Sequence, residues 1–204
     1  MLRVAACLEN LAPYITPLEP SETSESDWTI KFVVPYSRLL LGPKLEVKFD
    51  CRTDSRPQRP DLRIYVNKGR HTRCVLWCEA KTKWAKAAEV KEEVARVIER
   101  TMDAFRDEVS FFHTDRSPKL AVSIVDQRGT VYAVFLYLKL FLAVEIGSVT
   151  LATSITPETQ HVCESAIQSW RGLRALVIRL SQKMAMPATL PSVNRAPSML
   201  PPTL

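Results

Sequence analysis

Glycine is scarce in this chain, which has five glycines among 204 residues. No glycine-rich loop is present that could cradle a phosphate group, so the common nucleotide-binding loops are excluded. The sequence also lacks a GxSxG motif, and no histidine forms a recognised nucleophile motif with a serine or cysteine. Hydrolases that depend on an activated serine or cysteine are therefore excluded as well.

Cysteine and histidine are too few and too scattered for a structural metal site. The five cysteines form no CxxC pair and no even framework, and the chain has three histidines. This distribution argues against a zinc cluster and predicts reduced, structural thiols. Reduced thiols are typical of an intracellular protein, so we expect a nuclear or cytoplasmic location.

Long hydrophobic runs are also missing. The longest, from Val131 to Val144, is interrupted by Lys139 and is shorter than a membrane span, so it predicts a core strand. Glu9 comes too early in the sequence for a signal peptide. We therefore expect no membrane partner.

The composition predicts a soluble globular domain with a basic surface. Hydrophobic residues make up 46% of the chain and charged residues 25%, and the net charge is +6. This charge suits a polyanionic partner. The basic stretch from Arg52 to Arg73 has two interpretations, which are contact with nucleic-acid phosphates or a solvated loop. The candidate nucleic-acid-binding residues are Arg59, Arg63, Arg70, Arg73, Lys83 and Lys86.

The sequence pattern divides the chain into three parts. Residues 1–26 are expected to form a helix stub and a linker, and residues 27–184 one domain. Residues 185–204 contain five prolines and little charge, and are expected to form a disordered tail. Within the domain, a helix is predicted from Asp27 to Leu41, although Pro35 should kink it and a strand across residues 29–34 is an alternative.

Alternating and continuous apolar runs then predict strands at residues 45–49, 61–66 and 74–81. The glycine-containing link between the last two favours a hairpin. Apolar residues at helical spacing predict a helix from Thr82 to Val109. A second hairpin is predicted around Asp126–Gly129, another strand near Val149–Leu151, and a last helix from Thr156 to Lys183. The predicted fold class is α/β, with a central mixed sheet flanked by helices.

Two acids and a lysine stand at the ends of neighbouring predicted strands. Glu79 and Lys81 are two residues apart, so their side chains share one face of a strand. Asp61 opens the preceding strand, and antiparallel pairing would bring it close to both. Two carboxylates and an ammonium group are therefore expected at one edge of the sheet.

This grouping has a use in phosphodiester hydrolysis. Mg²⁺ prefers oxygen ligands, which the carboxylates of Asp61 and Glu79 and the carbonyl of Ala80 can supply. The metal would polarise the phosphate and lower the pKa of bound water. Lys81 can orient that water and stabilise the developing negative charge. The alternative is that Glu79 and Lys81 form a surface pair of little consequence.

Pro60–Asp61 and Glu79–Ala80–Lys81 resemble the motif of the PD-(D/E)xK nuclease superfamily. The resemblance extends from about Ser24 to Tyr137. Within this span the residues that look similar to the first helix of uncharacterised fungal PD-(D/E)xK-like proteins are Ser26–Asp27–Trp28, Val34–Pro35 and Leu39–Leu40–Leu41. The resemblance implies a restriction-endonuclease-like core and a nuclease that uses Mg²⁺ or Mn²⁺ on nucleic acid, with DNA as the expected substrate. It implies that Asp61 and Glu79 are metal ligands and Lys81 the catalytic lysine.

The chain departs from this family in one respect. Many members carry a further acid on the first helix, whereas Thr29–Leu41 contains neither Asp nor Glu. This departure motivates an alternative function, in which the nuclease-like fold is catalytically inactive and serves as a nucleic-acid or protein binding module.

Overall fold

The computed structural model describes residues 24–40, 45–49, 61–68, 71–82, 85–112, 117–138, 140–153 and 159–185. These residues form an α/β fold with one six-stranded mixed sheet and helices on both of its faces. The predicted fold class is confirmed at this level. The predicted N-terminal stub and nearly all of the predicted proline-rich tail lie outside the described residues.

The first helical segment of the described residues, α1, covers residues 25–40 and changes its winding three times. It consists of α-helical Glu25–Trp28, a π-helical turn Thr29–Val33, α-helical Val34–Ser37 and a 3₁₀ turn Arg38–Leu40. The wide turn ends two residues before Pro35, which has no N–H to donate to the preceding turn. The predicted helix is therefore confirmed, and the alternative strand is wrong.

The strands follow one another across the sheet in chain order. Each neighbouring pair is antiparallel except β3 and β4, which are parallel and are connected through the long helix α2. A second long helix, α3, follows the last strand. The bounds are β1 Leu45–Phe49, β2 Leu62–Lys68, β3 His71–Lys81, α2 Ala87–Phe112, β4 Lys119–Val125, β5 Arg128–Tyr137, β6 Leu140–Thr150 and α3 Gln160–Ala185.

The sheet separates two hydrophobic cores. On one face α1 and α3 pack against alternate residues of the central strands, with Trp170 fully buried at the centre. On the other face α2 packs through Val97 against Trp77 and Ala121. Because side chains alternate along a strand, β3 contributes to both cores, which explains its nearly continuous apolar sequence.

A reciprocal hydrogen bond joins α1 to the chain after β6. The Ala152 N–H donates to the Tyr36 hydroxyl at 3.0 Å, and this hydroxyl faces the Ala152 carbonyl at 3.4 Å. The Tyr36 ring stacks on Trp170, with 5.7 Å between the ring centres. The Trp170 indole N–H in turn donates to the carbonyl oxygen of Thr150 at 2.9 Å. These contacts fasten α1 and α3 to the same end of β6.

The apolar run that predicted one core strand is divided by a turn. The chain reverses at Leu138, whose φ is 47°, and the run forms the end of β5 and the start of β6. Leu142 and Val144 in the second half are exposed. The prediction was wrong here because the turn contains no glycine, proline or asparagine that would mark it.

Gly129 allows the other end of this hairpin to close tightly. A Cβ atom at this position would lie 2.6 Å from Val149 Cγ2 and 2.9 Å from Ile124 Cγ1. Both distances are shorter than a van der Waals contact, so only glycine fits without a shift of its neighbours.

Among the described helices, none is long and apolar enough to cross a membrane.

Candidate active site

The pairing of β2 with β3 fixes the relative positions of the two predicted motifs. Leu62, the first residue of β2, lies opposite Cys78. Asp61 immediately precedes Leu62 and therefore lies beside the Glu79–Lys81 end of β3. Its carboxylate Oδ2 accepts a hydrogen bond of 2.6 Å from the Ala80 N–H. Asp61 is thus held against the backbone of the second motif.

Glu79 points from β3 towards α2 and is buried, with 5% of its surface exposed. Its carboxylate forms an ion pair with the guanidinium of Arg100 on α2. Burial lowers the pKa of Arg100, and the negative charge of Asp61 opposes that change. Asp61 and Glu79 therefore both act on the same buried cation.

Lys81 is the last residue of β3 and lies on the same face as Glu79. Its Nζ is 3.7 Å from Oε2 of Glu93, and this glutamate is almost completely buried. Glu93 also accepts a hydrogen bond of 3.1 Å from Arg96, one turn further along α2. A buried carboxylate with two cationic neighbours is compensated in charge, and it restrains the ammonium group of Lys81.

A cleft of about 270 Å³ opens beside Lys81, between the end of β3 and the first turns of α2. Three glutamates and two basic residues line it, so it presents both charges to an incoming group. Asp61 and Glu79 do not line this cleft and lie beside it in the fold. Its lining residues are Lys81, Thr82, Ala85, Glu89, Glu92, Glu93 and Arg96.

Two further polar groups lie close to Glu79. Ser123 on β4 is opposite Glu79 in the parallel pair, and its buried hydroxyl has no hydrogen-bond partner among the described residues. Cys78 faces the other core, where burial, with a smaller contribution from Asp61, raises the pKa of its thiol well above its ordinary value. A raised pKa favours the neutral thiol, which is a poor nucleophile.

The predicted nucleic-acid-binding residues occupy different environments. Arg63 is buried, and its guanidinium carbon lies 5.2 Å from the Trp77 ring centre and 5.5 Å from that of Tyr65. It is therefore not at the surface. Arg73 is half-buried on β3, whereas Lys86 is exposed before α2. Three further candidates, Arg59, Arg70 and Lys83, lie outside the described residues.

The residue types at this site can be tested against a divalent cation. No group of three or more His, Cys, Asp or Glu side chains that could hold a metal ion occurs among the residues described. Asp61 and Glu79 do supply oxygen ligands of the type that Mg²⁺ prefers. They also already stabilise a positive charge, that of Arg100. The carboxylate oxygens of Asp61 and Glu79, and their negative charge, therefore fit a divalent cation that would take the place of the Arg100 guanidinium beside Glu79.

The chain matches no family model, no curated protein and no solved structure.

The site contains two residues that the sequence analysis missed, Glu93 and Arg100. Both lie on α2, where charged side chains are usually solvated, so their residue types gave no signal. The spacing between Glu93 and Arg100 did contain a signal. They are seven residues apart, which puts them on one face of a helix, and the buried Val97 lies between them on that face.

Proposed function

We propose that this protein is a metal-dependent phosphodiester hydrolase that acts on nucleic acid, with DNA as its substrate and Asp61, Glu79 and Lys81 as its active site. The observation that carries the proposal is the meeting of these residues at the end of β3, beside an open cleft. The proposal includes a restriction-endonuclease-like core, which the resemblance to PD-(D/E)xK nucleases supports.

The carboxylates of Asp61 and Glu79 and the carbonyl of Ala80 would hold a Mg²⁺ or Mn²⁺ ion. Such an ion supplies Lewis-acid activation of the phosphate and lowers the pKa of a water nucleophile. Asp61 contributes a second function, because its bond to the Ala80 N–H fixes the end of β3 relative to β2. The two strands that carry the ligands are thereby held in register.

Lys81 is the cationic group of the proposed reaction. Its ammonium group reaches the cleft, where it orients the attacking water and stabilises negative charge that develops on the phosphate. Glu93 is a positioning residue, since its buried carboxylate lies 3.7 Å from Lys81 Nζ and restrains it.

Arg100 protects the site while no metal is bound. Glu79 is buried, and an unpaired carboxylate in that position would be strongly destabilising. The Arg100 guanidinium supplies the compensating charge. A metal ion must therefore compete with Arg100 for Glu79, so this arginine should reduce the apparent affinity for metal.

Cleavage of supercoiled plasmid DNA in the presence of Mg²⁺ tests the proposal. We expect nicked or linear products from the wild type and a rate at least about 100-fold lower for Lys81→Ala. The matched control is Lys91→Ala, which removes an exposed lysine from the same helix that covers the site. Equal cleavage by the wild type and Lys81→Ala would contradict the assigned role.

A second function is favoured by the engagement of both carboxylates. Asp61 bonds to a backbone amide and Glu79 to Arg100, as in a site where an arginine has taken the place of the metal. The protein would then be a catalytically inactive binding module for nucleic acid or protein. Calorimetric titration with Mn²⁺ separates the two functions. Saturable heat that is lost in Asp61→Asn supports the hydrolase, whereas no heat and intact plasmid favour the binding module.

A further inference from the structure

The end of the β5–β6 hairpin carries an exposed apolar surface, which we term the hairpin patch. Its six large side chains are between 38% and 78% exposed. Four of them come from β6 at every second residue and share the face of the sheet that α3 covers only in part. The hairpin patch consists of Tyr137, Leu138, Leu140, Leu142, Val144 and Ile146.

β6 is also an edge strand. It pairs with β5 on one side, and no strand of the described part of the chain pairs with its other side. Exposed edge strands are commonly protected by proline, lysine or a β-bulge. The eleven residues of β6 contain neither proline nor lysine, and their one ionisable side chain is that of Glu145. The bulge of β6 lies at Ile146, which leaves a regular edge from Leu140 to Glu145. Both the backbone edge and the adjacent face are therefore suited to pairing with another strand.

We propose that β6 pairs with β6 of a second copy of this chain, antiparallel and about a twofold axis at Ala143. In this register Leu142 lies opposite Val144 of the second copy, and Leu140 approaches Ile146, which lies at the β-bulge of that strand. The apolar side chains that β6 contributes to the hairpin patch therefore meet one another. The interface is isologous and closes with two copies, and it joins the two sheets into one of twelve strands.

The charges near the strand favour this register over its neighbours. An axis at Glu145 would place two carboxylates directly opposite each other, which is destabilising. With the axis at Ala143, Glu145 lies opposite Phe141 of the second copy and towards the beginning of that strand.

The size of the surface agrees with a dimer of moderate affinity. Monomeric proteins rarely expose a contiguous apolar patch of more than a few hundred Å². Six large side chains at these exposures amount to a patch of about that size, to which the strand edge adds its backbone. A standard interface buries about 800 Å² on each partner. A patch of a few hundred Å² is smaller than that, so the dimer should be of moderate affinity.

Sedimentation equilibrium of the full chain tests the proposal between about 1 and about 100 µM. The average mass of the wild type should rise with concentration from 23.1 kDa towards twice that value. Val144→Lys should weaken the dimer by at least about tenfold, because it places a charge in the centre of the interface. Gln168→Lys, an equally charged change at an exposed position of α3, should leave the dimer unchanged.

A wild-type protein that stays monomeric throughout this concentration range would overturn the proposal. A dimer that both lysine variants weaken equally, or that neither weakens, would also overturn it. Circular dichroism of Val144→Lys checks that its fold is intact, and the next experiment does not depend on this variant.

Cysteine substitution tests the register directly. In the proposed dimer Ala143 lies opposite itself, at a Cα separation within the range of a disulfide. Ala143→Cys should therefore form a covalent dimer under mild oxidation, above the level of the wild type. Ser148→Cys, also on the exposed part of β6, should not. Equal cross-linking of the two variants would rule out an axis at Ala143.

Discussion

The two ends of the sheet differ in what they bury. Under α2, at the C-terminal end of the central strand β3, the charged residues Glu79 and Glu93 are almost completely buried. At the tip of the β5–β6 hairpin, by contrast, leucine and valine are exposed. The buried charges are compensated within the molecule by Arg100, Lys81 and Arg96. Within the described part of the chain, the exposed apolar side chains have no such compensation, which is why we propose a partner for them.

This difference shows that the polarity of a residue does not determine its burial in this fold. A buried ion pair forms a unit, so the loss of one member should be costly. An exposed apolar side chain contributes little to the folded monomer, so its replacement should be tolerated. The predictions below test this contrast, starting with the largest expected effect.

The largest loss of stability is expected for Arg100→Met. The substitution leaves the Glu79 carboxylate buried without its partner, so the free energy of unfolding should fall by about 3 kcal/mol. Urea denaturation of the wild type and the variant measures the difference. Arg96→Met is the matched control, because Arg96 is much more exposed and Glu93 retains Lys81 as a partner. Its loss should be below about 1 kcal/mol.

The double variant Glu79→Gln/Arg100→Met tests whether the cost comes from the unpaired charge. Removal of both charges should recover at least about half of the stability lost in Arg100→Met. If the double variant is no more stable than the single one, lost packing of the arginine side chain is responsible, and the contrast between the two ends weakens.

Glycine substitutions locate where the packed part of the β5–β6 hairpin ends. Gly129→Ala should lower the free energy of unfolding by about 2 kcal/mol, since its Cβ would overlap Val149 and Ile124. At Gly147, on the paired strand, a Cβ would meet nothing within 4 Å. Gly147→Ala should therefore change stability by less than about 1 kcal/mol. Equal effects in thermal unfolding would show that the hairpin is packed uniformly.

The buried thiol of Cys78 should make the stability of the protein depend on pH. Its folded-state pKa is raised, so the unfolded chain loses the thiol proton first as the pH rises. The stability that the buried neutral thiol contributes is therefore complete below the unfolded pKa of about 8.5 and declines above it. Between that value and the folded pKa, this thiol should make stability fall by about 1.4 kcal/mol per pH unit.

Urea denaturation at several alkaline pH values measures this decline. Cys78→Ala should make it shallower, whatever the substitution costs at pH 7 in lost packing. An identical slope in the wild type and the variant would show that the Cys78 thiol ionises with an ordinary pKa in the folded protein.

The smallest effect is expected for Leu140→Ser. Leu140 is 65% exposed, so the free energy of unfolding of the monomer should change by less than about 0.5 kcal/mol. Urea denaturation at low micromolar concentration measures it where the monomer predominates. A loss of more than about 1 kcal/mol would place this side chain in contact with the rest of its own chain.

The positions of Asp61, Glu79 and Lys81 illustrate what the sequence could predict. Strand alternation places the last two on one face, and a hairpin brings the first beside them. These rules depend on neighbours along the chain or across one turn. Both the hairpin between β2 and β3 and the helix that follows were predicted within a few residues of their observed ends.

The partners of these residues could not be predicted in the same way. Glu93 and Arg100 reach the site because α2 crosses the sheet with a particular rotation about its axis, which depends on packing around Val97. Leu138 is a second example, because a leucine with positive φ contradicts the local preference of its residue type. Pairing of β6 with β5 compensates for that cost, and such pairing cannot be inferred from one turn.

The bond between Tyr36 and Ala152 has a consequence for the order of assembly. It joins positions 116 residues apart, so α1 gains this anchorage only after most of the domain has left the ribosome. Until then the apolar face of α1 lacks the residues that it contacts in the folded domain. Nascent chains that stop short of residue 152 should therefore be good substrates for chaperones that recognise exposed aromatic side chains.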